Sequence, residues 1–436
     1  MRIRKLLFLS LVCFSALALQ ACGGGDEESG ADPKIRLLNL SNGYTALDMM
    51  TNLDSDTDDD DETQATAVAL ETVSDYATLD PDDYTVKVRR TGAGSVLRSF
   101  TGEELVEDTI NTYVAFGEVG NFGALRIDDT LDEADAGNAK LSVANVSSAG
   151  GLDVYLTDSA TDLDDTTPVL SNVGAALMPL VTDSGTYRLR ITAAGDTGDV
   201  RLDVATFALA DRGVGSLILT STQGGMLANA VFLPQEGQPT RINNTRARVR
   251  GAVGLANGAS ASIQVRGQSV LSAATAGVIG SRYTLLDAGS VPVTLTVNGA
   301  VVSVPDVNLT AGADYTLLAW SNANGAQLSL IVDDNRLPTG GAAVAKLRLL
   351  NGMSTLAAPL TLSVDFSPVI EGTLLGQVSD EVEITGGSDR QFDLSNTSTA
   401  QSVLSRSAIS LQGNSVYTFF VTDNGPTPIG VLRRDR

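Results

Sequence analysis

The residues with the clearest chemical potential form an acidic run that begins at Asp54 and ends at Glu62. Seven carboxylates fall within these nine positions. Like charges at this density repel one another unless they are solvated or bridged by a cation, and Ca²⁺ takes about six to eight oxygen ligands. The sequence therefore offers a candidate calcium site, whose ligands would be Asp54, Asp56, Asp58 and Asp60. The run does not follow the EF-hand pattern, so a solvated loop insertion without metal is the alternative interpretation.

Histidine is absent from the sequence, and the two cysteines are Cys13 and Cys22. The absence of histidine excludes the serine–histidine–acid triad and every histidine metal site. Any enzyme would have to use carboxylates, lysine or tyrosine, for example as a glycoside hydrolase with two acids about 5–10 Å apart. Because no pattern locates such a pair, we expect a protein that is not an enzyme, with no catalytic residue and no cofactor beyond the possible Ca²⁺.

The first 22 residues have the order of a secretory signal. Basic residues at positions 2, 4 and 5 precede an apolar stretch over 6–19, and the sequence Leu-Gln-Ala closes it before Cys22. The apolar stretch is too short to indicate a membrane-spanning helix. The last four residues resemble a bacterial lipobox, which implies cleavage before Cys22 and acylation of that cysteine. We therefore expect a lipoprotein signal peptide over 1–21 and a membrane partner reached through the lipid on Cys22.

The residues that follow Cys22 indicate where such a lipoprotein would reside. Gly23 occupies the position where retention signals of Gram-negative bacteria usually place aspartate, so the resemblance favours the outer membrane. Both the surface and the periplasmic face of the cell envelope are open at this point. The glycine- and acid-rich residues over 22–33 are typical of a flexible tether.

The charge balance limits the partners that the chain can bind. Lys plus Arg number 29 and Asp plus Glu number 52 over the whole sequence. Removal of the signal peptide takes three cations away, which leaves a net charge of about −26 by the same count. A surface this acidic repels DNA and RNA, because nucleic-acid binding needs a basic footprint. A protein or glycan ligand fits the composition better.

The sequence repeats itself four times. The six residues at 34–39 return as similar strand-like segments at 140–145, 246–251 and 346–351. Their starts are spaced by 106, 106 and 100 residues, and later segments rich in Val, Leu, Ile, Thr and Tyr keep the same order. Such self-similarity at a fixed period is typical of tandem domains.

Each copy reads as a β domain. Its segments are short, alternate apolar with polar residues, and end in Gly, Asp, Asn or Ser. About 100 residues with many short strands predict an antiparallel, Ig-like β-sandwich. The predicted organisation is all-β, with sandwich repeats over 34–136, 137–240, 245–338 and 342–436.

Two segments of the second copy carry a family resemblance. The strand pattern Leu-Asp-Val-Tyr at 152–155, followed by Gly-Thr-Tyr-Arg-Leu-Arg-Ile at 185–191, resembles the bacterial family called domain of unknown function 4397. The resemblance covers most of residues 34–436 and implies tandem Ig-like β domains of an exported or surface protein. The family carries no catalytic residues to transfer to this chain.

These observations favour a non-catalytic envelope lipoprotein that acts as a binding or structural module. A calcium-dependent adhesion or matrix protein, stiffened at 54–61, is the first alternative, and a carboxylate-based carbohydrate-active enzyme is the second. Because the predicted linkers are short, we expect the four domains to form a semi-extended rod.

Overall fold

The computed structural model describes residues 30–55, 60–356, 358–424 and 427–436. Every helix or strand within these ranges is a β-strand. The all-β fold class is therefore confirmed, and the strands form four consecutive sandwiches that we number repeats 1 to 4.

Repeat 1 sets the pattern for the others. It contains β1 (Lys34–Ser41), β2 (Ala46–Leu53), β3 (Glu62–Ala69), β4 (Ala77–Thr78), β5 (Asp82–Arg90), β6 (Val96–Leu105), β7 (Ile110–Glu118) and β8 (Asn121–Asp128). The order β4-β1-β7-β8 forms what we call the pairing sheet, and β3-β2-β5-β6 forms the distal sheet.

Repeat 2 has one additional strand in its pairing sheet. It contains β9 (Asn138–Asn145), β10 (Leu152–Thr157), β11 (Leu170–Val173), β12 (Met178–Asp183), β13 (Gly185–Ala193), β14 (Asp196–Leu209), β15 (Val214–Ser221), β16 (Ala228–Pro234) and β17 (Thr240–Ile242). The pairing sheet has the order β12-β9-β15-β16-β17, and the distal sheet has the order β11-β10-β13-β14.

Repeat 3 carries a small extra ribbon beside its two sheets. It contains β18 (Arg246–Gly254), β19 (Ala261–Val265), β20 (Gln268–Ala274), β21 (Thr284–Asp287), β22 (Gly289–Val291), β23 (Val293–Val297), β24 (Ala300–Val302), β25 (Val307–Leu309), β26 (Asp314–Asn322) and β27 (Gly325–Asp333). The pairing sheet is β21-β18-β26-β27, the distal sheet is β20-β19-β23-β24, and β22 pairs with β25.

Repeat 4 returns to the eight-strand pattern. It contains β28 (Val344–Gly352), β29 (Leu360–Val364), β30 (Ser367–Thr373), β31 (Val382–Thr385), β32 (Gly387–Asn396), β33 (Ser402–Leu411), β34 (Ser415–Asn424) and β35 (Thr427–Arg434). The pairing sheet is β31-β28-β34-β35, and the distal sheet is β30-β29-β32-β33.

One strand pair in every repeat departs from the antiparallel arrangement. The first strand of each pairing sheet runs parallel to the strand beside it near the end of the repeat, as β1 does to β7. The other strand pairs are antiparallel. The sandwiches are therefore mixed, which corrects the purely antiparallel prediction.

Apolar side chains from both sheets fill each sandwich. In repeat 1, Ile35 and Leu37 of β1 meet Leu47 and Met49 of β2 in one buried cluster. Their spacing of two follows from the pleat, which sends alternate side chains to the same face. Each of the other repeats has its own cluster of this kind.

The pairing sheet of repeat 1 is buried on its other face as well. Leu38 and Leu40 of β1 point away from the sandwich interior and pack against Ile218 and Leu233 of repeat 2 in a separate cluster. This explains why seven of the eight residues of β1 are buried, since a strand covered on both faces loses its apolar–polar alternation. Repeats 1 and 2 are therefore joined face to face through their pairing sheets.

Repeats 3 and 4 form a second pair in the same way. Ala252 and Leu318 of repeat 3 meet Leu350 and Phe420 of repeat 4 in a buried cluster. Backbone bonds tie the two pairs together, since Gly224 N donates to Gly312 O at 3.0 Å and Asn335 N donates to Gly224 O at 3.1 Å. The prediction of a semi-extended rod was therefore wrong, because it did not consider the apolar outer faces of the pairing sheets.

The structure also corrects the alignment of the third copy. In the parallel pairs, Arg36 lies opposite Thr112, Arg348 opposite Thr418, and Arg250 opposite Thr316. The sequence alignment had matched Arg248 to Arg36, which is two residues out of register. Because side chains alternate with a period of two, this shift kept the correct face of the strand and left the β prediction intact.

Candidate functional site

Three of the four repeats share a buried polar network at one position of the pairing sheet. In repeat 1, Arg36 Nε donates to Thr112 Oγ1 at 2.7 Å, and the Thr112 hydroxyl donates to Asp129. Repeats 3 and 4 contain equivalent groups, namely Arg250, Thr316 and Asp333 in one and Arg348, Thr418 and Asp435 in the other. Strand register places each arginine beside its threonine, so the network belongs to the repeat.

In the pair of repeats 3 and 4, the two networks exchange partners. Arg348 Nη2 donates to Asp333 Oδ1 at 2.8 Å, and Arg250 donates to Asp435 in return. All four side chains are at most 1% exposed. The Tyr283 ring lies 4.8 Å from the Arg250 guanidinium, and its hydroxyl donates to Asp333 at 2.8 Å. The contact is thus reciprocal, with each repeat supplying an arginine to an aspartate of the other.

Electrostatics keep Asp333 in its charged form. Burial opposes its ionisation, but the positive charges of Arg348 and Arg250 outweigh that effect and hold the pKa of this carboxyl below its usual value. In repeat 1, where Arg36 is the one basic partner of Asp129, burial prevails and raises the pKa of Asp129. The Asp333 carboxylate joins repeats 3 and 4, whereas the Asp129 carboxylate binds Arg36, Tyr76 and Thr112 of its own repeat.

Repeat 2 lacks the network. Ser142, Ser216 and Gln235 occupy the positions of the arginine, the threonine and the aspartate. Arg36 of repeat 1 instead donates from Nη1 to the Gly237 carbonyl at 2.8 Å, and Gln235 donates to the Leu131 carbonyl at 2.8 Å. The contact between repeats 1 and 2 is therefore asymmetric.

These rigid contacts frame a cleft of about 870 Å³ where repeats 1, 2 and 3 meet. Its walls carry mostly amide, hydroxyl and charged side chains, among them Asn42, Glu71, Glu118, Gln223, Arg241, Asn243 and Arg336. A second lobe of about 240 Å³ shares Glu118, Ser221 and Arg336 with the cleft and adds Phe116 and Phe122. A site of this size, formed by three repeats, is the principal candidate for ligand binding.

The charged groups of the cleft are largely paired with one another. Arg241 donates a hydrogen bond to Glu71, and the Arg336 guanidinium lies 2.7 Å from Asp334 and 3.7 Å from Glu118. Burial opposes ionisation of Asp334, but hydrogen bonds from Arg336 and the charge of Lys346 lower its pKa to about 2. In contrast, the exposed amides of Asn42 and Gln223 make no hydrogen bond to any described residue. These amides are available to a ligand.

The candidate calcium ligands are only partly described. Asp56 and Asp58 lie outside the described residues, as does Cys22. Asp54 accepts a hydrogen bond from Thr85 at 2.7 Å, and the Asp60 carbonyl accepts one from Asn52 at 3.3 Å. Neighbouring Asp61 forms an ion pair with Lys87 at 2.6 Å, so a lysine supplies part of the countercharge for the run.

The described ranges contain neither a candidate metal cluster nor a candidate membrane-spanning helix. No group of three or more histidine, cysteine, aspartate or glutamate side chains there is arranged to hold a metal ion. No helix in that part of the chain could span a membrane.

Sequence reasoning missed both the cleft and the buried networks. The sequence does contain a pattern that indicates the networks, because an arginine recurs at the third position of the segments at 34–39 and 346–351. A buried arginine needs a carboxylate partner, and an aspartate indeed follows the last strand of repeats 1 and 4. The cleft had no comparable signal, since its walls come from residues of three repeats.

Comparisons with known proteins return distant structural similarities and, for the first part of the chain, a family match. Similar solved structures include CBMbc (family CBM26) from Eubacterium rectale Amy13K in complex with maltoheptaose, at 10% identity and a TM-score of 0.16, covering 43% of this chain and 92% of that one. The Bacillus anthracis TIE protein is another, at 8% identity and a TM-score of 0.14, covering 87% of this chain and 69% of that one. Both scores lie far below 0.5, so neither structure informs the fold or the function of this chain.

No curated protein matches the sequence. The family model described as a domain of unknown function, DUF4397, matches residues 33–155, which span repeat 1 and the first two strands of repeat 2. Over that segment, the resemblance to the DUF4397 family that the sequence indicated is confirmed.

Proposed function

We propose that the chain is a non-catalytic lipoprotein of the cell envelope that binds a polar, uncharged ligand, of which a glycan is the best match, in the cleft between repeats 1, 2 and 3. The observation that carries this proposal is the cleft itself, with its volume of about 870 Å³ and its hydrogen-bonding walls. The buried contacts between repeats support it, because a preformed cleft loses little conformational entropy when a ligand binds.

The chemistry of the walls favours a neutral ligand. Glu71 and Glu118 face Arg241 and Arg336, so most of the charge in the cleft is already compensated. The available groups are uncharged amides, such as that of Gln223, which both donate and accept hydrogen bonds. Sugar hydroxyls also do both, which makes a glycan the best match for these walls. Because Glu71 and Glu118 already contact arginines, neither is free to flank a glycosidic bond, which supports a binding role over hydrolysis.

A defined set of neutral oligosaccharides tests the proposal. We expect hexamers of β-1,4-linked glucose or N-acetylglucosamine to bind the chain from residue 23 onward in ligand-observed NMR. Gln223→Ala removes one exposed amide from the cleft and should weaken binding roughly 3–10-fold, the value of one neutral hydrogen bond. Gln268→Ala is the matched control, because Gln268 is exposed on repeat 3 and does not line the cleft. Equal losses in the two variants, or no binding by any oligosaccharide, would refute the proposed function.

The envelope location rests on the lipobox that ends at Cys22. Cys22→Ser removes the thiol that would carry the acyl chains, so we expect the protein to move from the membrane fraction to the soluble fraction of lysed cells. Protease treatment of intact cells then distinguishes the surface from the periplasm. Membrane association of the Cys22→Ser variant equal to that of the parent chain would contradict lipid anchoring.

A further inference from the structure

A second pocket, of about 290 Å³, lies where repeats 2, 3 and 4 meet. Five arginines line it, namely Arg248, Arg250, Arg282, Arg433 and Arg434. Three aspartates accompany them, namely Asp196, Asp199 and Asp435. The lining is therefore net positive, although the whole chain carries a formal charge of −23. Such a local reversal of sign creates a field that attracts anions.

The aspartates of the pocket are already engaged with other arginines or with the backbone. Asp199 lies 2.7 Å from Arg201 and 3.5 Å from Arg248, and Asp435 binds Arg250 and Arg348. Asp196 accepts a hydrogen bond from the Gly198 backbone at 3.1 Å. Arg248 and Arg250 also pair with the buried Asp314 and Asp333, so the pocket arginines that have no aspartate or glutamate partner among the described residues are Arg282, Arg433 and Arg434.

Several guanidinium nitrogens at the pocket make no hydrogen bond to a described residue. Arg282 is exposed at the pocket and makes no hydrogen bond or ion pair with any described residue. The Nη2 atom of Arg250 and the Nε atom of Arg433 are buried without a hydrogen-bond partner. Buried donors without a partner are costly, so acceptor oxygens delivered to this pocket would stabilise it.

The arginines behind the pocket add to the excess. Arg436 donates to the Gly225 and Asn335 carbonyls, each at 3.1 Å, and to no carboxylate. Burial and the like charges of Arg201 and Arg248 lower the pKa of Arg436 to about 10. An anion in the pocket would offset this repulsion.

We propose that the pocket between repeats 2, 3 and 4 binds a phosphate group, either as a free phosphate or as part of a small phosphate ester. The planar fork of arginine matches phosphate oxygens, and several forks that converge on one pocket can contact more than one oxygen. The volume of about 290 Å³ is sufficient for a phosphate, a diphosphate or a small phosphate ester. This site is separate from the cleft between repeats 1, 2 and 3, and its test is independent of the glycan proposal.

Isothermal titration of the chain from residue 23 onward with inorganic phosphate and with pyrophosphate tests the assignment. We expect binding that weakens as salt increases, because the attraction is between exposed charges. Arg282→Gln should raise the pyrophosphate Kd roughly tenfold, as expected for loss of a charge-assisted hydrogen bond. Since Arg282 makes no hydrogen bond or ion pair with the described residues, this variant should fold with an unchanged thermal midpoint. Arg406→Gln is the control, because Arg406 is an exposed arginine of β33 outside the pocket.

A third titrant, glycerol 3-phosphate, distinguishes the source of the phosphate. Preferential binding of inorganic phosphate or pyrophosphate would identify a free anion, and preferential binding of glycerol 3-phosphate would identify an esterified one such as a lipid headgroup. Either result supports a phosphate site. Absence of binding by all three titrants, or an equal effect of Arg282→Gln and Arg406→Gln, would overturn it.

Discussion

Asp333→Ala is expected to lower the free energy of unfolding by about 3–5 kcal/mol, the usual cost of breaking a buried ion pair from one side. The reason is that the Arg348 guanidinium, 2.8 Å from Asp333, would remain charged in a buried site, and Asp435 at 3.4 Å would be its remaining carboxylate contact among the described residues. Thr316 and Tyr283 would also lose the carboxylate to which they donate. The weakened contact joins repeats 3 and 4, so the two sandwiches should separate more readily.

Chemical denaturation followed by hydrogen exchange at β27 and β35 measures this effect. Asp365→Ala is a matched control, since Asp365 pairs with Arg390 on the surface and its side chain is 42% exposed. We expect the control to change stability by less than about 1 kcal/mol, as is usual for exposed pairs. A loss in Asp333→Ala no larger than in the control would show that the reciprocal network does not stabilise the pair.

The loss of unfolding free energy in Asp333→Ala should also depend on pH. Because the folded pKa of Asp333 is lowered, ionised Asp333 stabilises the fold above its unfolded pKa, and this contribution disappears as the pH falls through the folded pKa. The difference between the parent chain and Asp333→Ala should therefore be full near neutral pH and narrow below about pH 4. A difference that stays constant down to pH 2 would contradict the assignment.

Phe420→Ala should destabilise the chain by a similar amount, about 3–5 kcal/mol, as for large-to-small changes in a packed core. Phe420 is fully buried between repeats 3 and 4, where it contacts the cluster that contains Ala252, Leu318 and Leu350. Its ring occupies space left by Gly352, since a Cβ at that glycine would lie 2.8 Å from the Phe420 ring. Removal of the ring leaves a cavity beside backbone that cannot collapse into it.

The shift of the thermal midpoint, compared with that of Phe366→Ala, checks this prediction. Phe366 is 78% exposed at the turn between β29 and β30, so its truncation removes little buried surface. We also expect Phe420→Ala to make the pair more sensitive to proteolysis between repeats 3 and 4. Equal midpoints for the two variants would mean that the face-to-face contact is not a true packed core.

Much of the fold could be predicted from the sequence because the interior of each sandwich follows simple alternation. The strand at 293–297, with Val293 and Leu295 buried and Thr294 exposed, has the pattern that its sequence predicts. The consecutive apolar residues Leu37 and Leu38 were accepted as one more strand, although such a run indicates burial on both faces. The run at Leu37 and Leu38 therefore indicates that a second surface covers the strand. The prediction of a semi-extended rod overlooked this indication.

The candidate sites were less predictable because they depend on how whole repeats pack. Gln223 of repeat 2 and Asn42 of repeat 1 line the same cleft, although they are far apart in sequence and belong to different domains. The arginines of the phosphate pocket are likewise contributed by two repeats, with Arg248 and Arg282 from one and Arg433 from the other. The acidic run over 54–62 was the most prominent local pattern in the sequence. Its described residues nevertheless contact neighbouring groups of the protein, as Asp54 contacts Thr85 and Asp61 contacts Lys87.

The reciprocal contact between Arg250 and Asp435 and between Arg348 and Asp333 has the form of an interface between identical subunits. In a twofold homodimer, a contact between one residue of the first subunit and another residue of the second is always matched by the reverse contact. Repeats 3 and 4 therefore contact each other like the two subunits of such a dimer, although they belong to one chain. Repeat 2, with Ser142, Ser216 and Gln235 at these positions, cannot form a contact of this kind with repeat 1.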